Sequence, residues 1–219
     1  MDRVAIEEQR NVSTTKIKTK NTKDQNIREA LIEELLHEQA KTGHPTRIFS
    51  EFGVNHGDVR ADIVTVNGII HGYEIKSDAD TLHRLPVQAR AYSQVFSKVT
   101  LVVGEQHIIE ALDIIPDWWG VKLAKGDVNG FVVITNIRTA HKNPKQDKIA
   151  ISRLLWKQEA IEILESIGKD AGIRTKRREF VYERLASEMN SIQLQEKVKD
   201  KLFNRPGWRV DQPLLLYGD

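Results

Sequence analysis

RADIVTVNGIIHGYEIKSD, residues 60–78, is the stretch on which the fold turns. Apolar and β-branched residues dominate it: Ile63, Val64, Val66, Ile69, Ile70, Tyr73 and Ile75. Asn67-Gly68 interrupts the run, which therefore reads as two strands joined by a tight turn. Set into the pair are Asp62 on the first strand and Glu74 and Lys76 on the second. Side chains two apart on a strand share a face, so Glu74 and Lys76 point the same way. The turn decides whether Asp62 joins them. A two-residue loop at Asn67-Gly68 pairs 62 with 73 and turns Asp62 away from Glu74. A three-residue loop, Val66-Asn67-Gly68, pairs 60 with 74 and puts Asp62 diagonally beside Glu74, with Gly68 in the left-handed position of a bulge. The sequence allows both.

Working outward, Asp24 is placed as a helix N-cap, and Ile27, Leu31 and Leu35 form a helical stripe to about Gln39. RIFSEFGV (47–54) reads as a strand and NHGD (55–58) as a turn. Pro86 suits the first turn of a helix reaching about Lys98, and TLVVG (100–104) has the continuous apolar character of a strand buried on both faces. A short helix over Ile108–Ile114 and two strands, Gly120–Lys125 and Gly130–Ile137, across a KGDVNG turn complete this part. The order predicts an α/β fold with a central mixed sheet flanked by helices, followed by a helical C-terminal region. Three segments are expected: a polar, flexible arm over 1–23, a core over 24–140 and helices over 149–219, with HKNPKQDK (141–148) as linker.

Composition narrows the function. The 219 residues are 40% hydrophobic and 29% charged, with a net charge of +2. No cysteine is present, which removes disulfides, thiolate metal sites and thiol nucleophiles. No apolar run reaches the roughly 20 residues of a membrane helix, and the charged N-terminus has no signal core, so no membrane partner and a cytoplasmic location are expected. P-loop, GxSxG and dinucleotide fingerprints are absent, and the seven histidines show no ligand spacing.

Two carboxylates held close together repel unless a cation neutralises them, which favours Mg²⁺ or Mn²⁺ bound through oxygen. Such a metal makes bound water a better nucleophile, and an ammonium beside it stabilises a phosphoryl transition state. Asp62, Glu74 and Lys76 so arranged would make a hydrolytic phosphodiesterase site. Taken singly, each is more ordinary: a Glu-x-Lys pair is usually a solvated strand face, and Asp62 has Arg60 within reach of a salt bridge.

GDVRADIVTVNG–IIHGYEIKSD resembles motifs II and III of the PD-(D/E)XK nuclease superfamily, with Asp62 at the motif II acid and Glu74-Ile75-Lys76 at the (D/E)xK element. The proline usual before the motif II acid is replaced by Ala61. QARAY (88–92) fits the Gln-x-x-x-Tyr element of one branch, which has Gln88 and Tyr92 hold the lysine or a DNA phosphate in place, against a reading as ordinary helix packing. The resemblance implies a restriction-endonuclease-like fold and a Mg²⁺- or Mn²⁺-dependent enzyme hydrolysing DNA to leave a 5′-phosphate, with Asp62, Glu74 and an upstream Glu on the metal. For that third acid Glu51 is preferred, as an acid amid apolar strand residues, with Glu29 as substitute; Glu33 and Glu34 share Glu29's helix. Arg60 is placed against a phosphate or against Asp62. Arg84 and Arg90 flank the site on the second helix and would meet the DNA backbone, with a solvated helix face as the plainer reading.

Residues 141–219 hold 16 Lys and Arg against 12 Asp and Glu, so the basic excess lies there. EAIEILESIGKDAGIRTKRREFVYERLAS reads as helix, turn and basic helix, in which Lys176, Arg177 and Arg178 would meet phosphates; the competing reading is a helical cap with a solvated edge. Trp118-Trp119 reads as core or as the anchor of a homodimer. Three alternatives stand beside the nuclease: a catalytically silent DNA-binding or regulatory protein, a subunit active only with a protein partner in a defence or repair complex, and RNA as substrate.

Overall fold

The computed structural model describes residues 22–127 and 131–206. Most of the arm expected over 1–23, and part of the KGDVNG turn, lie outside the described residues. Thr22 is buried, and its backbone N–H and hydroxyl each donate to Asp78 Oδ2 at 2.8 Å.

The chain builds a six-stranded mixed sheet in sequential order, from β1 (Arg47–Val54), β2 (Val59–Val66) and β3 (Ile70–Lys76) to β4 (Lys98–Gly104), β5 (Gly120–Gly126) and β6 (Val132–Arg138). β1–β2–β3 is an antiparallel meander, β3–β4 and β4–β5 are parallel, and β5–β6 is antiparallel. The parallel steps need crossovers, supplied by α2 (Leu85–Val95) and α3 (Ile108–Ile114). Asp24 is the first residue of α1 (Asp24–Thr42) rather than its cap, which is Lys23. Gly43, at φ +69°, ends the helix in the left-handed conformation that a Cβ disfavours.

α1 lays Ile27, Leu31 and Leu35 on one sheet face, against Ile48, Ile63, Ile75 and Val102. The opposite face is covered by α2 and by the C-terminal helices α4 (Lys148–Ser152), α5 (Lys157–Ser166), α6 (Arg178–Glu188) and α7 (Ser191–Asn204), which share one continuous hydrophobic core with the strands. Leu154 and Trp156 lie between α4 and α5, in neither helix. The break after Ser152 lets the N–H of Trp156 bond Glu159 Oε2 at 2.7 Å and start α5. Arg205 closes the helical layer: it is 2% exposed, pairs with Glu159 at 2.5 Å and lies 4.5 Å over the Trp156 ring. Trp119 is fully buried and stacks 6.1 Å from Tyr92, which places it in the core.

Gly72, on β3, permits the close approach of Phe96: a Cβ there would meet the ring at 2.5 Å, and that ring is fully buried. Gly72→Ala is therefore expected to destabilise the fold by about 1–2 kcal/mol through overpacking. Urea denaturation checks this, and an unchanged midpoint would refute it.

Candidate functional site

The β2–β3 hairpin turns through Asn67-Gly68-Ile69, with Val66 opposite Ile70 and Gly68 at φ +102°. That three-residue loop is neither of the two that the sequence allowed: it extends Asn67-Gly68 by Ile69 and starts one residue after Val66-Asn67-Gly68. The paired ladder runs back to Ile63 opposite Tyr73 and stops there. Asp62 and Glu74 come next but form no pair: Asp62 reaches Arg28 on α1, and Glu74 reaches Gln88 and Tyr92 on α2. The strands part at this point, and Asp62 Oδ2 accepts the Ile75 backbone N–H at 2.7 Å, where a ladder carbonyl would otherwise serve. On the other side of β2, Glu51 falls opposite Asp62, between the pairs Ser50–Ile63 and Phe52–Ala61, and adopts φ +52°.

What joins these acids is a residue the sequence reading passed over. Arg28, on α1, places Nη2 at 3.0 Å from both Asp62 Oδ1 and Glu51 Oε1, and its Nη1 donates to the Asp62 carbonyl at 2.8 Å. Its Nε bonds Asp24 one turn earlier at 3.3 Å. The i, i+4 pair Asp24–Arg28 beside the apolar stripe was the available signal. Glu29, the alternative third acid, is exposed and accepts from Gln25; Glu33 is exposed as well, and Glu34 pairs with Lys122. The first helix thus brings a cation to the cluster.

Glu74 is 1% exposed and faces α2. Its Oε1 accepts from Lys76 Nζ at 2.5 Å and from Gln88 Nε2 at 2.6 Å. Tyr92 Oη lies 2.7 Å from Glu74 Oε2 and 2.5 Å from the Arg60 carbonyl. One phenolic proton shared between two acceptors serves each weakly, and a proton on Glu74 would complete the set. Burial, with the charge of Asp62 added, pushes Glu74 up to about 7 against the pull of Lys76 and Tyr92. Asp62 is also raised, chiefly by burial, despite the Ile75 N–H and Arg28. Gln88 and Tyr92 therefore touch the acid and not only the helix packing.

Mg²⁺ or Mn²⁺, implied by the nuclease resemblance, does not fit this donor set as it is built. Arg28 already bridges Glu51 and Asp62, Lys76 is on Glu74, and among the described residues no group of three or more His, Cys, Asp or Glu is placed to hold an ion.

Beside the cluster lies an open cleft of about 700 Å³ between the β1–β2 end of the sheet and the C-terminal helices. Arg60, Arg153, Lys157 and Arg178 reach its walls, with Glu51 at one edge. Arg153 is held by Glu179 at 2.7 Å, and Arg60 has no ion pair among the described residues. Lys176 and Arg177 are exposed just before α6 and Arg178 is its first residue, so the basic triplet marks a helix start rather than a helix face. Arg84 and Arg90 are exposed at the start and middle of α2. Among the described residues, the non-glycine ones with positive φ, Glu51, Asn55 and His56, all belong to the β1–β2 segment at this cleft.

The sequence model of the family described as bacteriophage P4 protein cII matches residues 17–209. The chain belongs to that family. Protein cII of Enterobacteria phage P4 is 28% identical over 183 residues, covering 84% of this chain and 67% of that protein. A solved Silicibacter pomeroyi protein of unknown function aligns at 16% identity with a TM-score of 0.39, over 67% of this chain and 94% of that one. Membership in the cII family overturns the PD-(D/E)XK assignment, and with it the metal-dependent phosphodiesterase and its hydrolase and endonuclease labels. The residues behind the resemblance are real neighbours. Their charges are met by Arg28, Lys76, Gln88 and Tyr92, which makes the cluster a strut between α1, the meander and α2. No helix among the described residues is long and apolar enough to cross a membrane.

Proposed function

We propose that this cII-family chain is a regulatory protein that acts by binding DNA, with the basic cleft as its contact surface. The observation that carries the reading is the charge of that cleft: Arg60, Arg153, Lys157 and Arg178 face it from strand and helix, against Glu51 alone among its lining acids. Lys176 and Arg177 stand next to Arg178. Guanidinium groups fixed on rigid elements suit phosphate oxygens, which set position on the duplex without reading its sequence. Three left-handed non-glycine residues in one short segment support the same place, because strain of about 1–3 kcal/mol per residue tends to persist where function needs a particular backbone. The acid cluster, closed by its own cations, serves to hold Arg60 at the cleft edge through the Tyr92 bond to its carbonyl.

Fluorescence anisotropy with a labelled duplex across a salt series tests this. Log affinity is expected to fall with log salt at a slope of about −3 to −4, one unit per phosphate neutralised. Arg60→Ala with Arg178→Ala should shallow that slope by about 2 and weaken binding at least tenfold at fixed salt. Salt-independent binding, or a double variant that binds like the parent, would refute the cleft as the contact surface.

A further inference from the structure

A second cavity, of about 350 Å³, opens on the α1 face of the sheet, at the opposite end of the meander from the acid cluster. Its floor is polar where a sheet face under a helix is ordinarily apolar. Thr65, His71, Tyr73 and Thr100 form a row across β2, β3 and β4, in register Thr65–His71 and Tyr73–Thr100. His71 Nε2 lies 2.9 Å from Thr100 Oγ1, and Tyr73 Oη lies 3.3 Å from His71 Nδ1. The two rings stack at 4.3 Å and 19°, one face against the other, which holds the pair rigid in the floor. Burial, helped by Lys98 and Lys122, lowers His71 to about 3, so the imidazole is neutral at physiological pH.

Charge divides the walls. Lys98 and Lys122 approach from β4 and β5, while Glu34 and Glu38 descend from α1. Lys122 and Glu34 satisfy each other in an ion pair. Lys98 and Glu38 pair neither with each other nor with any other described residue, although both line the same cavity. An unpaired ammonium and an unpaired carboxylate are left facing one polar space, on opposite walls.

We propose that this pocket binds a small zwitterion of free amino-acid type, with its carboxylate on Lys98, its ammonium on Glu38 and its remaining atoms beside the stacked His71–Tyr73 pair. A lone anion would satisfy the amine and leave the acid, and a lone cation the reverse. Only a ligand carrying both charges completes the set, and the volume suits one of metabolite size. Nothing in this site depends on the DNA-binding reading.

The full chain is titrated with each of the common L-amino acids in turn, following the His71 imidazole resonance by NMR together with thermal stability. At least one is expected to shift the resonance and raise Tm. Its deaminated and decarboxylated analogues, and the variants Lys98→Ala and Glu38→Gln, should each bind at least tenfold more weakly. Glu38 is exposed although it lines the cavity, so its variant keeps the test meaningful if Lys98→Ala misfolds. The proposal is overturned if no amino acid moves the His71 resonance, if a single-charge analogue binds as well as the zwitterion, or if Glu38→Gln leaves affinity unchanged.

Discussion

Replacing Arg28 with methionine is expected to destabilise the protein by about 2–3 kcal/mol at neutral pH, although Arg28 is not in the core. The side chain neutralises Asp62 and Glu51 together, from 3.0 Å each, and also satisfies the Asp62 carbonyl. Removing one partner of a buried pair typically costs about 3–5 kcal/mol, and the figure is reduced here because the Asp62 side chain keeps 18% of its exposure. Chemical denaturation measures the loss. Adding Asp62→Asn should recover part of it, since the uncompensated charge is then gone, and the double-mutant cycle isolates the coupling. The variant also leaves Glu51 and Asp62 facing one another without a cation. Millimolar Mn²⁺ should therefore raise Tm in Arg28→Met and leave the parent unchanged. A parent stabilised as strongly as the variant would show that Arg28 does not stand where a cation would.

Glu74 yields the second large effect, and it is read in pH. Its native pKa of about 7 lies above the ordinary 4.5, so between those values the folded chain holds a proton that the unfolded chain has released. Stability from this group is therefore highest below about pH 4.5, falls as pH rises through 7, and is level above. Across pH 5 to 8 the loss is on the order of 2–3 kcal/mol. Glu74→Gln cannot titrate. The stability of the parent relative to the variant should fall by that amount over the same range, measured by urea denaturation at each pH. Because the comparison is between two pH dependences, the constant cost of leaving Lys76 Nζ beside an amide cancels. A parent–variant difference independent of pH would mean that Glu74 stays ionised throughout, and that the Tyr92 proton is shared in some other way.

Both predictions rest on a cluster whose members were mostly legible in the sequence. Glu74 and Lys76 share a face as strand alternation requires, and Gln88 and Tyr92 one turn apart meet Glu74, whereas Asp62 and Glu51 sit where the strands depart from regular pairing. Their meaning was misread. An acid pair with a lysine is the pattern of a metal-dependent nuclease, but the same residue types also make a closed ionic strut. What closes the strut is Arg28 on Asp62 and Glu51 together with Lys76 on Glu74. Family membership decides against the nuclease, and Arg28 supplies the physical reason that the acids tolerate one another.

By itself the sequence determined the order of elements, the meander, the helical crossovers and the apolar stripes that select each buried face, because these follow from periods of 2 and 3.6 along a local stretch of chain. It left the hairpin register open, since a shift of one residue in the loop changes which side chains oppose one another without changing composition. Only the tertiary structure placed Arg28 between Glu51 and Asp62, split α4 from α5, and left Lys98 and Glu38 unpaired across a shared cavity. Those outcomes depend on how helices rotate and dock on a twisted sheet. That docking joins residues tens of positions apart, and its geometry is set by packing rather than by any local pattern.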